Sequence, residues 1–186
     1  HEDVAIFEAD KKNLDEETKK MEEVEAVRGN TMEDGVKLHK LPLWQQMKDL
    51  MVVDENNNFS LAVIRGDLEV NEVKLAHVVK AYRLRHATEE EIRKLGSEPG
   101  FISPVGINKK VKVIGDYSLR TMKNAYTGAN KKHRDLLNVN IDRDYKVDIE
   151  ADIALAKGGY LSKNGVPLSE KKGIEVGNIF QLGFHY

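Results

Sequence analysis

The chain has 186 residues, a length typical of one domain with extensions. It contains 0 cysteines, which excludes disulfide frameworks and thiolate metal sites, and its net charge of −2 excludes a uniformly basic nucleic-acid-binding surface. No apolar run approaches the roughly 20 residues of a membrane span and no signal-peptide pattern opens the chain, so we expect a cytoplasmic protein without membrane contacts.

The N-terminal part of the chain is the most polar. Residues 1–30 are rich in charge and lack a broad apolar stripe, so we predict a charged linker or a loosely docked helix there. Leu43, Met47, Leu50 and Met51 share helical spacing, and a first strand is predicted to start at Met51.

A strand followed by a helix is the clearest pattern in the chain. Residues 59–65 alternate apolar side chains between two faces after an Asn- and Asp-rich turn, and Asn71 is predicted to cap a helix over 71–82. Lys74 then lies in the first turn, where a cation is unfavourable by about 0.3–1 kcal/mol. Lys74 is therefore either a solvated residue beside Glu72 or a functional residue placed against the local rule.

The remaining elements alternate irregularly. Thr88 and Glu91 form a capping-box pattern for a helix that ends at Gly96. A strand over 110–115, a short helix over 118–126 and a strand over 136–141 follow. This order predicts an α+β fold with a mixed β-sheet surrounded by helices. No Walker or GxGxxG sequence and no HxxxH spacing is present, so we expect neither a nucleotide cofactor nor a metal site.

Several short segments, taken together, resemble the editing insertion of bacterial prolyl-tRNA synthetases, which is related to the free-standing YbaK-like deacylases of mischarged tRNA. These segments are 65–74, 100–106, 128–130, 138–140 and 143–144, and the segment 173–183 looks like the strand that re-enters the synthetase core. The resemblance implies an editing domain over 31–157, an exit loop over 158–172 and a returning strand over 173–186.

The resemblance also implies site residues. Lys74 matches the lysine essential for editing, and the predicted substrate-binding residues are Gly100, Phe101, Ile102, Ser103, Pro104, Asn130, His133 and Asp135. Asp135 stands where the family usually has histidine, so either the loop is shifted and His133 serves, or an acidic group lines the pocket. Predicted tRNA contacts are Arg65, Lys131, Lys132 and Arg134; ordinary solvated surface is the alternative for this basic cluster and for Lys109, Lys110 and Lys112.

The implied reaction is hydrolysis of alanine misattached to tRNA-Pro, within a synthetase that is a homodimer and without a cofactor. Such a deacylase needs a positioned water, a hold on the α-amino group and ribose, and stabilisation of the oxyanion. The implied partners are the aminoacylated end of tRNA-Pro and the rest of the synthetase. Two alternatives stay open: a non-catalytic insertion that positions the tRNA acceptor end, and a trans-acting deacylase of other mischarged tRNA-Pro, such as Cys-tRNA-Pro.

Overall fold

The computed structural model describes residues 5–171. Its helices and strands are, in chain order, β1 (Glu22–Glu25), α1 (Met32–His39), β2 (Met47–Asp54), β3 (Phe59–Arg65), α2 (Glu72–Val79), β4 (Leu84–His86), α3 (Glu89–Lys94), β5 (Val111–Asp116), β6 (Ala125–Gly128), β7 (Arg134–Val139) and β8 (Ile149–Ala151). Two 3₁₀ helices, Leu43–Gln45 and Tyr117–Thr121, precede β2 and β6.

The strands form two sheets. The larger has the order β4-β2-β3-β5-β8 and is mixed, because β3 is antiparallel to β2 but parallel to β5. The smaller has the order β1-β7-β6 and is antiparallel. The predicted α+β class with a mixed sheet is confirmed.

Strand β3 lies at the centre of the core and is buried on both faces. Leu61 and Val63 pack in the cluster that contains Leu136 of β7, so this face meets the smaller sheet. Ala62 packs with Leu75 of α2 on the opposite face. Burial of each large aliphatic side chain stabilises the fold by about 1.5–3 kcal/mol. The predicted alternation along β3 is confirmed.

The local start signals also act as predicted. The Asn71 side chain accepts hydrogen bonds from the amides of Val73 (3.0 Å) and Lys74 (3.1 Å), which begins α2. The helix ends at Val79, three residues before the predicted end, because Lys80 adopts a left-handed conformation with φ of 60°. Thr88 and Glu91 form the expected reciprocal capping box at the start of α3.

Two predictions about the first half of the chain are wrong. Residues 5–30 contain no helix; β1 pairs with β7 and Ala26 is fully buried, so this segment belongs to the fold. Residues 47–51 form the beginning of β2 instead of a helix. Met47 and Met51 face the same side in either structure, because a spacing of four matches both the helical period and the strand period of two.

Later segments differ in smaller ways. The predicted helix over 118–126 is a 3₁₀ turn followed by β6. Residues 158–171 of the predicted exit loop form a small hairpin with an antiparallel bridge between Leu161 and Pro167. The predicted returning strand over 173–186 lies outside the described residues, and the domain boundaries stay a prediction.

Residues 5–171 contain neither a membrane-spanning helix nor a cluster of metal-ligating side chains. No helix in this range is long and apolar enough to cross a membrane. In the same range, no three metal-ligating side chains are grouped so that they can hold an ion.

Candidate functional site

A cavity of about 250 Å³ opens where the two sheets approach each other. It lies between the start of β2, the end of β6, and two loops near residues 30 and 100. We call it the Gly100 cavity; its lining residues are Arg28, Asn30, Thr31, Met32, Gln46, Met47, Lys48, Asp49, Gly100, Ile102 and Gly128.

Two glycines give the cavity its shape. Gly100 has φ of +80°, which side chains rarely adopt, and a Cβ there would come within 2.3 Å of the Asn30 side chain. A Cβ on Gly128 would lie 2.1 Å from the carbonyl oxygen of Phe101. The loop at Gly100 therefore packs directly against the end of β6, backbone to backbone.

Asn130 holds this loop in place. Its Oδ1 accepts hydrogen bonds from Ser97 Oγ (2.6 Å) and the Ser103 amide (3.0 Å). Its Nδ2 donates to the carbonyls of Ser103 (3.1 Å) and Val105 (2.9 Å). The Asn130 amide in turn donates to the Phe101 carbonyl at 2.8 Å. Asn130 thus acts as a brace for the loop, behind the cavity wall.

The predicted loop residues divide into two groups. Gly100 and Ile102 line the cavity. Phe101, Ser103 and Pro104 are buried behind it and support the loop. The loop therefore lies at a cavity, but only two of its five predicted substrate-binding residues line the cavity wall.

Asp135 is fully buried and is held by two partners. Arg28 donates to both of its oxygens (2.7 and 2.6 Å), and His39 Nε2 lies 2.7 Å from Oδ2. Burial alone would raise the pKa of Asp135, but the hydrogen bonds from His39 and Arg28 outweigh burial and lower it.

The prediction that Asp135 itself lines the pocket is therefore corrected. Its partner Arg28 is the residue that reaches the cavity, with its guanidinium 4.4 Å from the centre of the Phe101 ring. His133 is exposed and its ring meets the edge of Phe101 at 6.0 Å, outside the set of lining residues. The sequence offered two alternatives, His133 in the pocket or Asp135 on its wall. The structure shows neither.

The sequence did not predict the three charged residues of the cavity, which are Arg28, Lys48 and Asp49. Lys48 is half-buried; its ammonium donates to the Leu68 carbonyl at 2.6 Å, and burial lowers its pKa. Asp49 accepts a hydrogen bond from Thr127 Oγ1 at 2.7 Å, and burial raises its pKa to about 7. For Lys48 and Asp49, the available signal was a pair of charges inside the otherwise apolar run 47–53.

Lys74 lies elsewhere and is only 5% exposed. Its ammonium donates to Asp152 Oδ2 and to the carbonyls of Ala5 and Ala154, each at 2.8 Å. These three acceptors use all three of its N–H groups. The interpretation of Lys74 as a solvated surface lysine is therefore wrong, and its catalytic role stays a prediction.

A second and larger cavity, of about 660 Å³, lies beside the Lys74 cluster. Asp152 and Ala154, two of the Lys74 partners, line it together with residues 6–9 of the N-terminal segment. The Lys74 ammonium is thus enclosed behind this wall and faces its three protein acceptors.

Arg65 was predicted to contact tRNA, and the structure contradicts this. The residue is 1% exposed. Its five N–H groups are taken by Asp67, by the side chain and carbonyl of Asp10, and by Thr121, at 2.6–3.0 Å. Arg65 therefore joins the N-terminal segment to β3 and has no donor left for a phosphate.

The other predicted tRNA contacts lie on the surface. Lys131, Lys132 and Arg134 are exposed around the start of β7. The acidic strand β1 runs alongside, and Lys131 pairs with Glu23 at 2.9 Å. This neighbour weakens the positive potential of the basic cluster, and its contact with tRNA stays a prediction.

The sequence was compared with known proteins. Residues 15–144 match the family described as the aminoacyl-tRNA editing domain. The proline–tRNA ligase of Sulfurihydrogenibium sp. (strain YO3AOP1) is 40% identical over 172 residues, and that of Bacillus subtilis (strain 168) is 36% identical over 174 residues. Each alignment covers 92% of this chain but only 30% or 31% of the ligase, so the chain spans under a third of these relatives.

Solved structures show the same fold. A candidate trans-editing enzyme for prolyl-tRNA synthetase superposes with a TM-score of 0.56 and 23% identity, over 64% of this chain and 76% of the other. A hypothetical protein superposes with a TM-score of 0.61 and 19% identity, over 73% and 91%. The family match covers well over half of the sequence and agrees with this fold. The chain belongs to the aminoacyl-tRNA editing domain family.

Proposed function

We propose that this chain is the editing domain of a prolyl-tRNA synthetase and hydrolyses the ester of Ala-tRNA-Pro. The observation that carries the proposal is the Gly100 cavity, which combines a braced loop with two cations, Lys48 and Arg28. The names of the relatives, proline–tRNA ligases, support the prolyl context.

The cavity suits an amino acid better than a whole nucleotide. Its volume of about 250 Å³ lies below the roughly 300–1,000 Å³ of pockets for larger ligands. Selection of alanine over the bulkier proline ring follows the logic of a second sieve, and this selection is part of the proposal. Cysteine is close to alanine in size, so Cys-tRNA-Pro is the nearest competing substrate.

The residues of the cavity meet the chemical needs of ester hydrolysis. The loop at Gly100 is rigidly braced by Asn130, so its backbone groups can orient the ester and a water molecule. The Lys48 ammonium can stabilise the oxyanion as charge develops, and such a preorganised charge needs no rearrangement during the reaction. We therefore assign to Lys48 the catalytic role that sequence resemblance gave to Lys74, because Lys48 lines the cavity.

The test is a deacylation assay with Ala-, Cys- and Pro-charged tRNA-Pro. We expect Ala-tRNA-Pro to be hydrolysed and Pro-tRNA-Pro to be spared. Lys48→Ala should reduce hydrolysis by about 10²-fold or more, the effect of losing one oxyanion stabiliser. Lys37→Ala, on the exposed face of α1, is the matched control and should leave the rate unchanged.

Three results would contradict the proposal or change one part of it. Full activity in Lys48→Ala would remove this lysine from the mechanism. Tight binding of tRNA-Pro without hydrolysis of any ester would favour the alternative of a non-catalytic insertion that positions the acceptor end. Preferential hydrolysis of Cys-tRNA-Pro would keep the reaction and change the substrate.

We further propose that the partners are the aminoacylated end of tRNA-Pro and the remainder of the synthetase chain. A homodimeric parent, a cytoplasmic location and a reaction that needs no cofactor remain predictions. Mass measurement of the full-length synthetase tests the first, and deacylation after treatment with a chelator tests the last.

A further inference from the structure

The Asp49 carboxylate differs from every other buried acid in the described chain. Its Oδ2 accepts the Thr127 hydroxyl, whereas its Oδ1 is buried and has no hydrogen-bond partner among residues 5–171. Among residues 5–171, Asp49 Oδ1 is the one buried side-chain nitrogen or oxygen that lacks a hydrogen-bond partner. A buried oxygen without a donor lowers stability, so its place in the wall of a cavity indicates that a ligand completes it.

The charges of the cavity wall are divided in a way that fits one kind of ligand. Among the described lining residues, Asp49 is the acid, and Lys48 and Arg28 are the cations. An aminoacyl ester on tRNA carries one positive group, the α-ammonium, next to a carbonyl that becomes negative and to phosphates that are negative already. Lys48 and Arg28 match the negative carbonyl oxygen and phosphates of this ligand. Asp49 is then the residue that matches the α-ammonium group.

The geometry allows Asp49 to reach a ligand. Its side chain lies on the same face of β2 as Met47 and Met51, between the two sheets, and the residue as a whole is partly accessible although Oδ1 is buried. The terminal torsion of aspartate is broad, so a modest rotation turns Oδ1 towards the cavity. The Thr127 hydroxyl rotates as well and can keep its hydrogen bond during this movement.

The electrostatic environment favours a cationic ligand. Burial raises the pKa of Asp49 to about 7, against the opposing effect of the Thr127 hydrogen bond. An ammonium that binds nearby stabilises the ionised carboxylate and offsets this effect of burial.

We propose that Asp49 is the receptor for the α-ammonium group of the aminoacyl ester, so that the cavity selects esters with an unmodified amino group over N-acylated ones. The inference rests on the proposed deacylase function and adds a specificity-determining residue to it.

The experiment compares Ala-tRNA-Pro with N-acetyl-Ala-tRNA-Pro in the wild-type protein and in Asp49→Asn. A charge-assisted hydrogen bond in a buried site corresponds to roughly a 10- to 100-fold effect. We expect the wild type to prefer the unacetylated ester by that factor, and Asp49→Asn to lose the preference by slowing only the unacetylated substrate. Glu90→Gln, an exposed acid on α3, is the matched control and should behave as the wild type.

Two outcomes would overturn the proposal. If Asp49→Asn slows both esters equally, the carboxylate acts as a general base or a proton donor and does not recognise the ammonium. If Asp49→Asn changes neither ester, the residue has no part in the reaction. Thr127→Val, which removes the hydroxyl that aims the carboxylate, should show a smaller loss of the same preference.

A binding measurement separates this inference from the proposed function. The probe is a non-hydrolysable 3′-alanylamido analogue of the terminal adenosine, compared with its N-acetyl form by calorimetry. A wild type that hydrolyses nothing but prefers the unacetylated analogue, with the preference lost in Asp49→Asn, would refute the deacylase function and support the Asp49 assignment. Equal binding of both analogues by the wild type would overturn the assignment.

Discussion

Two regions of this protein place charged side chains out of water, and they do so in opposite ways. Around Lys74 and Arg65, every N–H donor of both side chains has an acceptor in the protein. Around the Gly100 cavity, the Oδ1 of Asp49 has no hydrogen-bond donor among residues 5–171, and Lys48 and Arg28 line the open cavity while each also bonds to a neighbouring group. Burial of a charge alone therefore does not indicate a functional site. Donors and acceptors that stay unused in the fold and line a cavity do indicate one.

The largest expected effect concerns Lys74. Lys74→Ala leaves Asp152 and two carbonyls without their donor, and breaking a buried ion pair in this way typically destabilises by about 3–5 kcal/mol. Lys37→Ala should stay within about 0.5 kcal/mol of the wild type, as most surface substitutions do. Urea unfolding measures both. A Lys74→Ala variant that is as stable as the wild type and inactive would instead return Lys74 to the catalytic site.

The next effect concerns the pair of Asp135 and Arg28. Asp135→Asn leaves the Arg28 guanidinium buried without its counter-charge, so we expect a loss of about 2 kcal/mol and weaker deacylation, because Arg28 also donates to the Gly100 carbonyl. The hydrogen bonds that lower the pKa of Asp135 stabilise the fold above its ordinary pKa of 3.8. This stabilisation is lost as the pH falls through the lowered pKa that Asp135 has in the folded protein.

The stability difference between the wild type and Asp135→Asn should therefore be constant from about pH 5 to 8 and shrink in stronger acid. Urea unfolding at several pH values measures it. A difference that grows as the pH falls would show that Asp135 is not stabilised as a carboxylate.

Asp49 should show the opposite dependence on pH. Its pKa is raised to about 7 in the fold, so ionisation destabilises the native state and the wild type should lose stability relative to Asp49→Asn as the pH rises from about 4 to 8. Because Asp49 is partly exposed, we expect a change on the order of 1 kcal/mol, or about 3 °C in Tm. Thermal unfolding of both proteins across this range measures it. Parallel pH curves would mean that Asp49 does not titrate in this range.

The smallest effect concerns the surface. Reversing Lys131, Lys132 and Arg134 to glutamate should weaken tRNA binding and reduce its dependence on salt, since fewer counterions are released, while hydrolysis of a small ester analogue stays unchanged. Reversing Lys80, Arg83 and Lys146, which are exposed and lie in neither candidate basic cluster, makes the same change of charge elsewhere on the surface. Filter binding at several salt concentrations compares the two variants. Equal weakening by both would indicate a general effect of charge and no specific contact at the start of β7.

Features that depend on near neighbours in the chain can be predicted from the sequence. Asn71 caps α2 and Thr88 pairs with Glu91 because each bond is formed within three residues. The alternation of β3 is equally local, since side chains leave a strand on alternate faces. The loop at Gly100 could also be predicted, because glycine tolerates positive φ and Pro104 restricts the backbone directly. In the structure, Gly100 has φ of 80°.

Which charged side chains meet depends on the packing of segments that are distant in the sequence. Lys74 meets Asp152 and Ala154, about 80 residues away in sequence, and Asp135 on β7 meets Arg28 and His39, which are about 100 residues away in sequence. The run 47–51 is a strand because β3 pairs with it, although a spacing of four fits a helix as well. Hydrogen bonds and ion pairs between distant segments leave no periodic pattern in the sequence. The place of Lys48 and Asp49 in a cavity, and of Lys74 in a saturated cluster, therefore follows from the packing of the sheets and not from the order of residues.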